Sequence, residues 1–295
     1  MKTIVLKRKQ QDGSMLYAEF CPDKGMNLVS LKKGSVELID QSTAPLFDER
    51  FAGLGALIGP HFYHLPENLL PHSCPESLFP HIGALISKGQ KDLFSHGIGR
   101  YVPWKYQFDD SRIIAKLASV DSYEGYPLSE LEGCNFFMSY EAEILDDRFR
   151  IKIHSKSDTR SVIGLHYYFN LKRPGFVSGS FETYYYDKGQ KKDIPNIWKA
   201  GTQKILLNLD NSFDQGFIPL EYMGINEVLL TTSEFRLKMQ ITQLEGSELS
   251  VQVYHPENSS YVCVEPISAE NPRGPLPKEG NLMIDFFIDL PNQND

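Results

Sequence analysis

Alternation of apolar and polar residues, the pattern of a half-buried β-strand, recurs along most of this chain. In Arg148–His154 the apolar residues occupy every second position, and the preceding run, Phe136–Leu145, is also strand-like. Asp146 and Asp147 separate the two runs and have the composition of a tight turn. These residues therefore predict a β-hairpin.

A second hairpin is predicted where Glu245-Gly246-Ser247 separates the alternating runs Leu237–Ile241 and Leu249–Val253. Further strands are predicted at Leu16–Phe20, Met26–Leu31, Val36–Ile39, Ser161–Leu171, Ser180–Tyr186, Tyr261–Ile267 and Leu282–Leu290. No segment has the repeat of a long amphipathic helix. Closely spaced strands with turn signals between them are typical of sandwiches and barrels, so the sequence predicts an all-β fold.

The segment Phe51–Ser95 departs from this pattern because it is rich in proline and histidine. Proline cannot donate a sheet hydrogen bond, so we expect a long excursion over one end of the sandwich. Its apolar content favours an ordered segment, and ordered loops of this length are usually functional. No stretch has the composition of a linker, and we expect residues 1–295 to form a single domain.

Composition and charge exclude several classes of partner. The net charge of −8 argues against nucleic acid and against an anionic membrane surface, both of which require clustered basic residues. Lys7, Arg8 and Lys9 interrupt the N-terminal segment before it reaches the length of a signal peptide, so a cytoplasmic location is expected. The four cysteines are far apart and form no CxxC pair, which favours reduced, buried thiols over a zinc or redox motif. The oligomeric state is left open.

Three segments carry residues suited to chemistry, and the first is Gly164–Asn170. On a strand, His166, Tyr168 and Asn170 share one face, which suits a ligand-facing groove. The alternative is a hydrogen-bonded histidine in the core or at a sheet edge. The residues of this segment alone do not decide between them.

The second segment is Val262–Pro266, in which Glu265 is the one charged residue in an apolar run. A glutamate there faces either solvent or a site. In a dry cleft, desolvation would raise its pKa and make it a usable general base near neutral pH.

The third segment is Phe94–Arg100, where His96 precedes Arg100 by four residues among glycines. Glycine allows the backbone to approach a ligand, and the arginine fork suits sugar hydroxyls or an anion. The alternative is a turn whose arginine pairs with a surface carboxylate.

Together, and in their order along the chain, with Phe94–Arg100 first and Val262–Pro266 last, these segments resemble the aldose 1-epimerase (galactose mutarotase-like) family. The similarity runs from about Met26 to the C-terminus. The matching residues are His96-Gly97, Arg100, Trp104, Gly164, His166, Tyr168-Phe169-Asn170, Asp214, Glu265-Pro266 and Asn271-Pro272. Four such motifs in order on a β-rich chain are fairly specific.

The resemblance implies a large antiparallel β-sandwich, the galactose mutarotase-like supersandwich, with a concave groove that binds a sugar. It also implies an isomerase that interconverts the α and β anomers of a hexose, with Glu265 as base and His166 as acid. His96 and Asp214 would hold sugar hydroxyls, and neither a metal nor an organic cofactor would be required. Aromatic residues such as Tyr168 or Phe217 could stack on the sugar.

The chain departs from the family pattern at one point. The family usually carries an arginine before its His-Gly motif, whereas residues 51–99 contain none. We expect His61 or His64 to replace that contact, or the sugar specificity to differ. A branch of the family acts on hexose 6-phosphates, for which Arg100 and Arg273 are candidate phosphate ligands.

Three further alternatives remain from the sequence. His61, His64 and His72 could hold zinc or iron, but solvated or hydrogen-bonded loop histidines are favoured because no carboxylate lies at ligand spacing. A non-catalytic carbohydrate-binding protein would keep the groove without needing the Glu265 and His166 pair. A sugar isomerase or lyase on a similar sandwich is disfavoured by the length of the chain.

Overall fold

Two antiparallel sheets account for most of the regular structure in the computed structural model, which describes residues 2–65, 70, 74–244 and 247–291. The strands of these residues are, in chain order, β1 (Ile4–Lys9), β2 (Met15–Cys21), β3 (Asn27–Lys33), β4 (Val36–Glu37), β5 (Gly55–Ile58), β6 (Lys105–Phe108), β7 (Arg112–Ala118), β8 (Ser122–Tyr123), β9 (Tyr126–Pro127), β10 (Phe136–Ile144), β11 (Phe149–Ser157), β12 (Gly164–Asn170), β13 (Phe176–Asp187), β14 (Gln190–Asp193), β15 (Lys204–Asn208), β16 (Phe213–Pro219), β17 (Glu221–Tyr222), β18 (Ile225–Thr231), β19 (Arg236–Gln243), β20 (Ser250–His255), β21 (Tyr261–Ile267) and β22 (Glu279–Asp289). The helices are α1 (Ala44–Arg50), α2 (Ile82–Ser87) and α3 (Leu128–Glu132), with 3-10 turns at Gln41–Thr43, Ile98–Arg100 and Asn196–Trp198. None of these helices is long and apolar enough to cross a membrane. The prediction of an all-β fold is confirmed.

The first sheet has the strand order β1-β2-β3-β5-β12-β21-β20-β16-β13-β14, with β4 beside the end of β3. The second has the order β6-β7-β10-β11-β22-β19-β18-β13-β15, with β17 beside β18. The long strand β13 belongs to both sheets: its first residues pair with β15 and β18, and its last with β14 and β16. A register shift between Phe181 and Tyr185 marks the passage between the sheets, as expected where a bulge bends a strand.

Apolar side chains of the two sheets meet in a continuous layer. Phe20 of β2 packs edge-on against Tyr140 of β10, and Tyr167 of β12 stacks on Phe286 of β22. The hydroxyls of Tyr140 and Tyr167 form a hydrogen bond of 2.8 Å between the sheets. Because side chains alternate along a strand, burial of Tyr167 in this layer directs its neighbour His166 to the opposite face of the first sheet.

The first predicted hairpin is confirmed, and the second is wrong. β10 and β11 pair from Phe136↔Ser157 to Ile144↔Phe149, so that the chain turns between Ile144 and Phe149. By contrast, β19 pairs with β18 and β22 in the second sheet, and β20 pairs with β16 and β21 in the first. The chain therefore crosses between sheets where a hairpin was expected, and Glu245 and Gly246 themselves lie outside the described residues.

The segment from Phe51 to Ser95 is not wholly an excursion from the sheets. Gly55–Ile58 forms β5, which pairs with β12 and β3. This strand is possible because the first proline of the segment, Pro60, follows it, so the strand keeps its backbone donors. The absence of a side chain at Gly55 lets β3 approach, since a Cβ there would lie 2.5 Å from Leu28 Cβ. After Pro60 the described residues form loops, turns and α2.

Candidate active site

A row of facing residues crosses the middle of the first sheet on its outer face, which points away from the layer between the sheets. Gly216 of β16 pairs with Gln252 of β20, which pairs in turn with Glu265 of β21. The register of β12 on β21 then places His166 opposite Glu265, and His166 pairs with Ala56 of β5. The polar side chains of the row therefore stand between two small residues, Gly216 at one end and Ala56 at the other.

Glu265 and His166 form the centre of this row. The Nε2 atom of His166 lies 3.5 Å from Oε1 of Glu265, and the two residues are 7% and 1% exposed, respectively. Burial raises the pKa of Glu265 well above its ordinary value, although the charge of Arg100 opposes the shift. Burial, reinforced by Arg100, lowers the pKa of His166 to about 3. Both shifts favour the neutral forms of the two side chains, the protonated carboxyl group of Glu265 and the unprotonated imidazole of His166, over an ion pair.

The imidazole of His96 approaches the pair from a loop. Its ring centroid lies 5.3 Å from that of His166, in an edge-on arrangement. Tyr63 N–H donates to His96 Nδ1 at 3.3 Å, which leaves Nε2 as the N–H donor of the neutral ring. Burial lowers the pKa of His96 well below its usual range and so favours this neutral form. His96 can thus donate a hydrogen bond to a ligand hydroxyl.

The backbone around His96 adopts left-handed conformations that lock the loop in place. His96 has a φ of 66° and Gly97 a φ of 85°. Gly59 N–H donates to His96 O and His96 N–H to Tyr63 O, both at 2.8 Å. A Cβ on Gly97 would lie 2.1 Å from Gly59 O, so only glycine fits there. Strained conformations of this kind persist where the surrounding structure fixes them, and they are frequent at functional sites.

Arg100 is anchored to the sheet instead of pairing with a surface carboxylate. Its Nε and Nη2 donate to Leu57 O at 2.9 and 2.8 Å, and the side chain is 4% exposed. The indole of Trp104 donates to Gly99 O at 2.8 Å and thereby fixes the turn that carries Arg100. The guanidinium lines the cleft, and its charge acts on both Glu265 and His166.

Asp214 and Arg273 belong to the rim of the cleft. Gln252 Nε2 donates to Asp214 Oδ1 at 2.8 Å, so the carboxylate is oriented by a residue of the central row. The guanidinium of Arg273 lies 4.3 Å from the ring centroid of Tyr63 and 5.5 Å from that of Phe62. Among the described residues Arg273 forms no ion pair with a carboxylate, and both rim residues line the cleft.

His61 does not lie in the cleft, contrary to its expected role as a substrate contact. It is 2% exposed, with Nδ1 2.6 Å from Glu132 Oε1 and Nε2 3.1 Å from Asp92 Oδ2. Although burial opposes it, the two carboxylates raise the pKa of His61 to about 9, so the ring is a cation between two anions. Because both nitrogens are occupied by carboxylates, neither can contact a sugar.

The three-histidine metal hypothesis receives no support from the described residues. The nitrogens of His61 are engaged as above, and His64 Nδ1 lies 3.6 Å from the same Asp92 carboxylate. His72 lies outside the described residues. The carboxylates that hold His61 were not visible as ligands in the sequence because Asp92 and Glu132 are distant from it along the chain.

The cleft above the row has a volume of about 660 Å³, within the range of small-molecule sites. The sequence-predicted residues that line it are Glu265, His166, His96, Arg100 and Asp214, together with His64, Tyr168 and Arg273. Tyr168 stacks on His166, with ring centroids 4.9 Å apart, whereas Phe217 is fully buried against Phe181 and Tyr185 and is not a stacking residue.

Three further residues that line the cleft, Gln252, Tyr254 and Tyr63, were not predicted as site residues from the sequence. Gln252 and Tyr254 lie on the same face of β20, so the alternation of residues along this strand could have identified both as facing the cleft.

The comparisons with known proteins establish the fold. No family model matches the chain, and no curated protein matches its sequence. A structure from Synechocystis is 16% identical, with 98% of this chain and 96% of that chain covered and a TM-score of 0.67. A galactose mutarotase-like protein from Lactobacillus casei is 12% identical, with 98% and 100% covered and a TM-score of 0.67. A candidate aldose 1-epimerase from Escherichia coli is 11% identical, with 98% and 100% covered and a TM-score of 0.64. The chain therefore has the galactose mutarotase-like fold.

Proposed function

We propose that this protein is an aldose 1-epimerase that interconverts the α and β anomers of a hexose by acid/base ring opening. The observation that carries the proposal is the juxtaposition of Glu265 and His166, 3.5 Å apart on the floor of the cleft. Mutarotation moves protons on two oxygens that are bonded to the same carbon, the anomeric hydroxyl and the ring oxygen. A base and an acid that lie side by side match this requirement.

The reaction requires one dissociable proton on the pair, so that one of the two groups can donate while the other accepts. In the charge-separated form, the Glu265 carboxylate removes the proton of the anomeric hydroxyl while the His166 imidazolium protonates the ring oxygen. The bond between the anomeric carbon and the ring oxygen breaks, and an open-chain aldehyde forms. Rotation of the carbonyl and reversal of both transfers give the other anomer and restore the pair. Each positioned proton transfer typically contributes about 10²–10⁴-fold to the rate.

The remaining cleft residues are assigned to binding. His96 donates from Nε2, Asp214 accepts from sugar hydroxyls, and Arg100 donates from the part of its fork not occupied by Leu57 O. Their positions are held by backbone and side-chain hydrogen bonds, so the sugar meets a preorganised site. Orientation of this kind lowers the entropic part of the barrier.

A hexose 6-phosphate is the second candidate substrate, because Arg273 lines the cleft without a described carboxylate partner. Arginine forks suit phosphate recognition. An Arg273→Gln variant should therefore raise KM for glucose 6-phosphate at least about tenfold, since charged hydrogen bonds are typically worth about 1.5–3 kcal/mol. The KM for glucose should change little if the guanidinium serves only the phosphate.

The test is anomer exchange measured by NMR on glucose, galactose and glucose 6-phosphate, with wild type and Glu265→Gln. Wild type should accelerate exchange for at least one sugar, and the variant should lose about 10²–10⁴-fold or more while still binding that sugar. Glu279→Gln, on the second sheet, is the matched control and should exchange like wild type. Sugar binding without acceleration by wild type would instead identify a non-catalytic carbohydrate-binding protein.

A further inference from the structure

A thiol lies beside the proposed acid/base pair. Cys263 precedes Glu265 by two residues on β21, so both side chains point to the cleft face of the sheet, and Cys263 pairs with Tyr168 of β12. A ring nitrogen of His166, the sulfur of Cys263 and a carboxylate oxygen of Glu265 all lie within 4.8 Å of one another. All three residues are buried, and Cys263 is not among the residues that line the cleft.

The spacing of the His166 and Glu265 atoms suits a shared ion better than a hydrogen bond. Their separation of 3.5 Å exceeds the usual hydrogen-bond range of about 2.7–3.2 Å. Two ligands bound tetrahedrally to one Zn²⁺, with Zn–N and Zn–O bonds of about 2.0–2.2 Å, stand about 3.3–3.5 Å apart. A small inward movement of the Cys263 sulfur would complete three protein ligands.

We propose that His166, Cys263 and Glu265 form a binding site for Zn²⁺, and that an ion bound there switches off the acid/base pair. The proposal that the ion inhibits rests on the proposed function, whereas the proposal that it binds does not. Imidazole, thiolate and carboxylate are the ligand types that zinc takes in proteins, and three of them leave a fourth position open toward the cleft. An ion in this position occupies the nitrogen and oxygen that would otherwise exchange protons with the sugar.

The surroundings of His166 indicate a reversibly bound ion and not a resident one. Histidines that hold a permanent metal almost always donate from their other ring nitrogen to an orienting partner. In the part of the chain that the structure describes, the buried Nδ1 of His166 has no such partner on another residue. The site therefore has zinc ligands without the second layer of hydrogen bonds that raises affinity.

Binding is tested without reference to activity by titrating the protein with Cd²⁺, which reports thiolate coordination through an ultraviolet charge-transfer band. Wild type should bind one Cd²⁺ per chain with this band, and Zn²⁺ should displace it. Cys263→Ser should lose at least about 100-fold in affinity, because even the loss of an outer partner costs about 10–100-fold. Cys134→Ala, which removes another buried thiol, is the matched control and should bind like wild type.

Inhibition is tested in the anomer-exchange assay. Zn²⁺ should stop exchange by wild type at the concentration at which it binds, and Cys263→Ser should keep basal exchange but resist Zn²⁺. Equal Cd²⁺ affinity in wild type and Cys263→Ser, or undiminished exchange at saturating Zn²⁺, would overturn the proposal. His166→Gln provides an independent binding test if the serine variant does not fold. A Cd²⁺ band that depends on Cys263 in a protein without exchange activity would support the metal site and refute the epimerase.

Discussion

At the scale of single residues, the chemistry of the cleft comes from burial of groups that would ionise in water. Glu265 and His166 are both buried, yet their pKa values shift in opposite directions because burial disfavours whichever form is charged. The same effect makes the carboxylate a stronger base once it gives up its proton. The burial that makes Glu265 a strong base therefore also lowers the stability of the fold when the carboxyl group is ionised.

This opposition predicts how stability depends on pH. The folded-state pKa of Glu265 lies above the unfolded value of about 4.3, so its contribution is fully present below that pH and is lost as pH rises through the folded pKa. Across this window each pH unit costs up to about 1.4 kcal/mol. Glu265→Gln should remove the loss, and its stability relative to wild type should increase from pH 5 toward alkaline pH in urea unfolding.

The control for this prediction is Glu279→Gln. Lys156 and His154 lower the pKa of Glu279, so its contribution has the opposite sign and is lost as pH falls. This variant should gain no stability relative to wild type as pH rises. If Glu265→Gln also shows no gain between pH 5 and alkaline pH, Glu265 is already ionised in the folded protein.

Some residue assignments were available from the sequence and others were not. The alternation in Gly164–Asn170 places His166 and Tyr168 on one face, as observed, because strand geometry is local. The same parity separates Phe217 from Asp214, three residues away, so the expectation that Phe217 stacks on the sugar was avoidable. The position of His61 was not predictable, since its partners Asp92 and Glu132 are brought to it only by the folded loops.

At the scale of elements, His61 joins three segments around the cleft. Glu132 of α3 also accepts from Ile98 N–H at 2.9 Å, and Asp92 accepts from Leu65 N–H and Phe94 N–H. The cation between the two carboxylates thus ties α3 to the loops that carry His96 and Arg100. We regard His61 as a positioning residue.

Removing this cation should destabilise the fold and weaken substrate binding. His61→Ala leaves two buried carboxylates without their counter-charge, at a cost of about 3–5 kcal/mol near neutral pH. Because the folded pKa of His61 is raised to about 9, its stabilisation is full below about pH 6.5 and disappears as pH rises through about 9. The difference between wild type and variant in urea unfolding should shrink accordingly.

The kinetic readout separates positioning from catalysis. KM should rise more than kcat falls, because His96 moves while the strands that carry Glu265 and His166 do not. His154→Ala, a half-buried histidine paired with Glu279 on the second sheet, is the control and should change neither parameter. A fall in kcat with unchanged KM would contradict the assignment of His61.

The bounds of the strands could be predicted from the sequence far better than the partners with which the strands pair in the sheets. The run predicted at Tyr261–Ile267 is the observed β21, because burial of alternate residues is a local property. The partners of β19 and β20 depend on which sheet each strand joins, and a turn signal between them carries no such information. The short strand β5 was not predicted, because the prolines that follow it gave the whole segment the composition of a loop.

At the scale of the whole molecule, the two faces of strand β12 have separate roles, one in the core and one in the cleft. Odd-numbered residues of β12, such as Tyr167, join the layer between the sheets, and even-numbered ones, such as His166, face the cleft. The fold class was predictable because this alternation recurs along the chain. The bend of β13 from one sheet into the other, which determines how the sheets connect, has no local signature of that kind.

This division predicts that the core can be altered without affecting catalysis. Tyr140 and Tyr167 are fully buried and satisfy each other through one hydrogen bond, so Tyr167→Phe leaves the Tyr140 hydroxyl unpaired at a cost of about 1–3 kcal/mol. The double variant Tyr140→Phe, Tyr167→Phe removes both polar groups and should recover most of that loss. A double-mutant cycle by urea unfolding measures the coupling, and anomer exchange should be unchanged in all three variants. Additive losses would show that the hydroxyls are paired elsewhere, and a fall in exchange rate would show that the core layer and the cleft are coupled through β12.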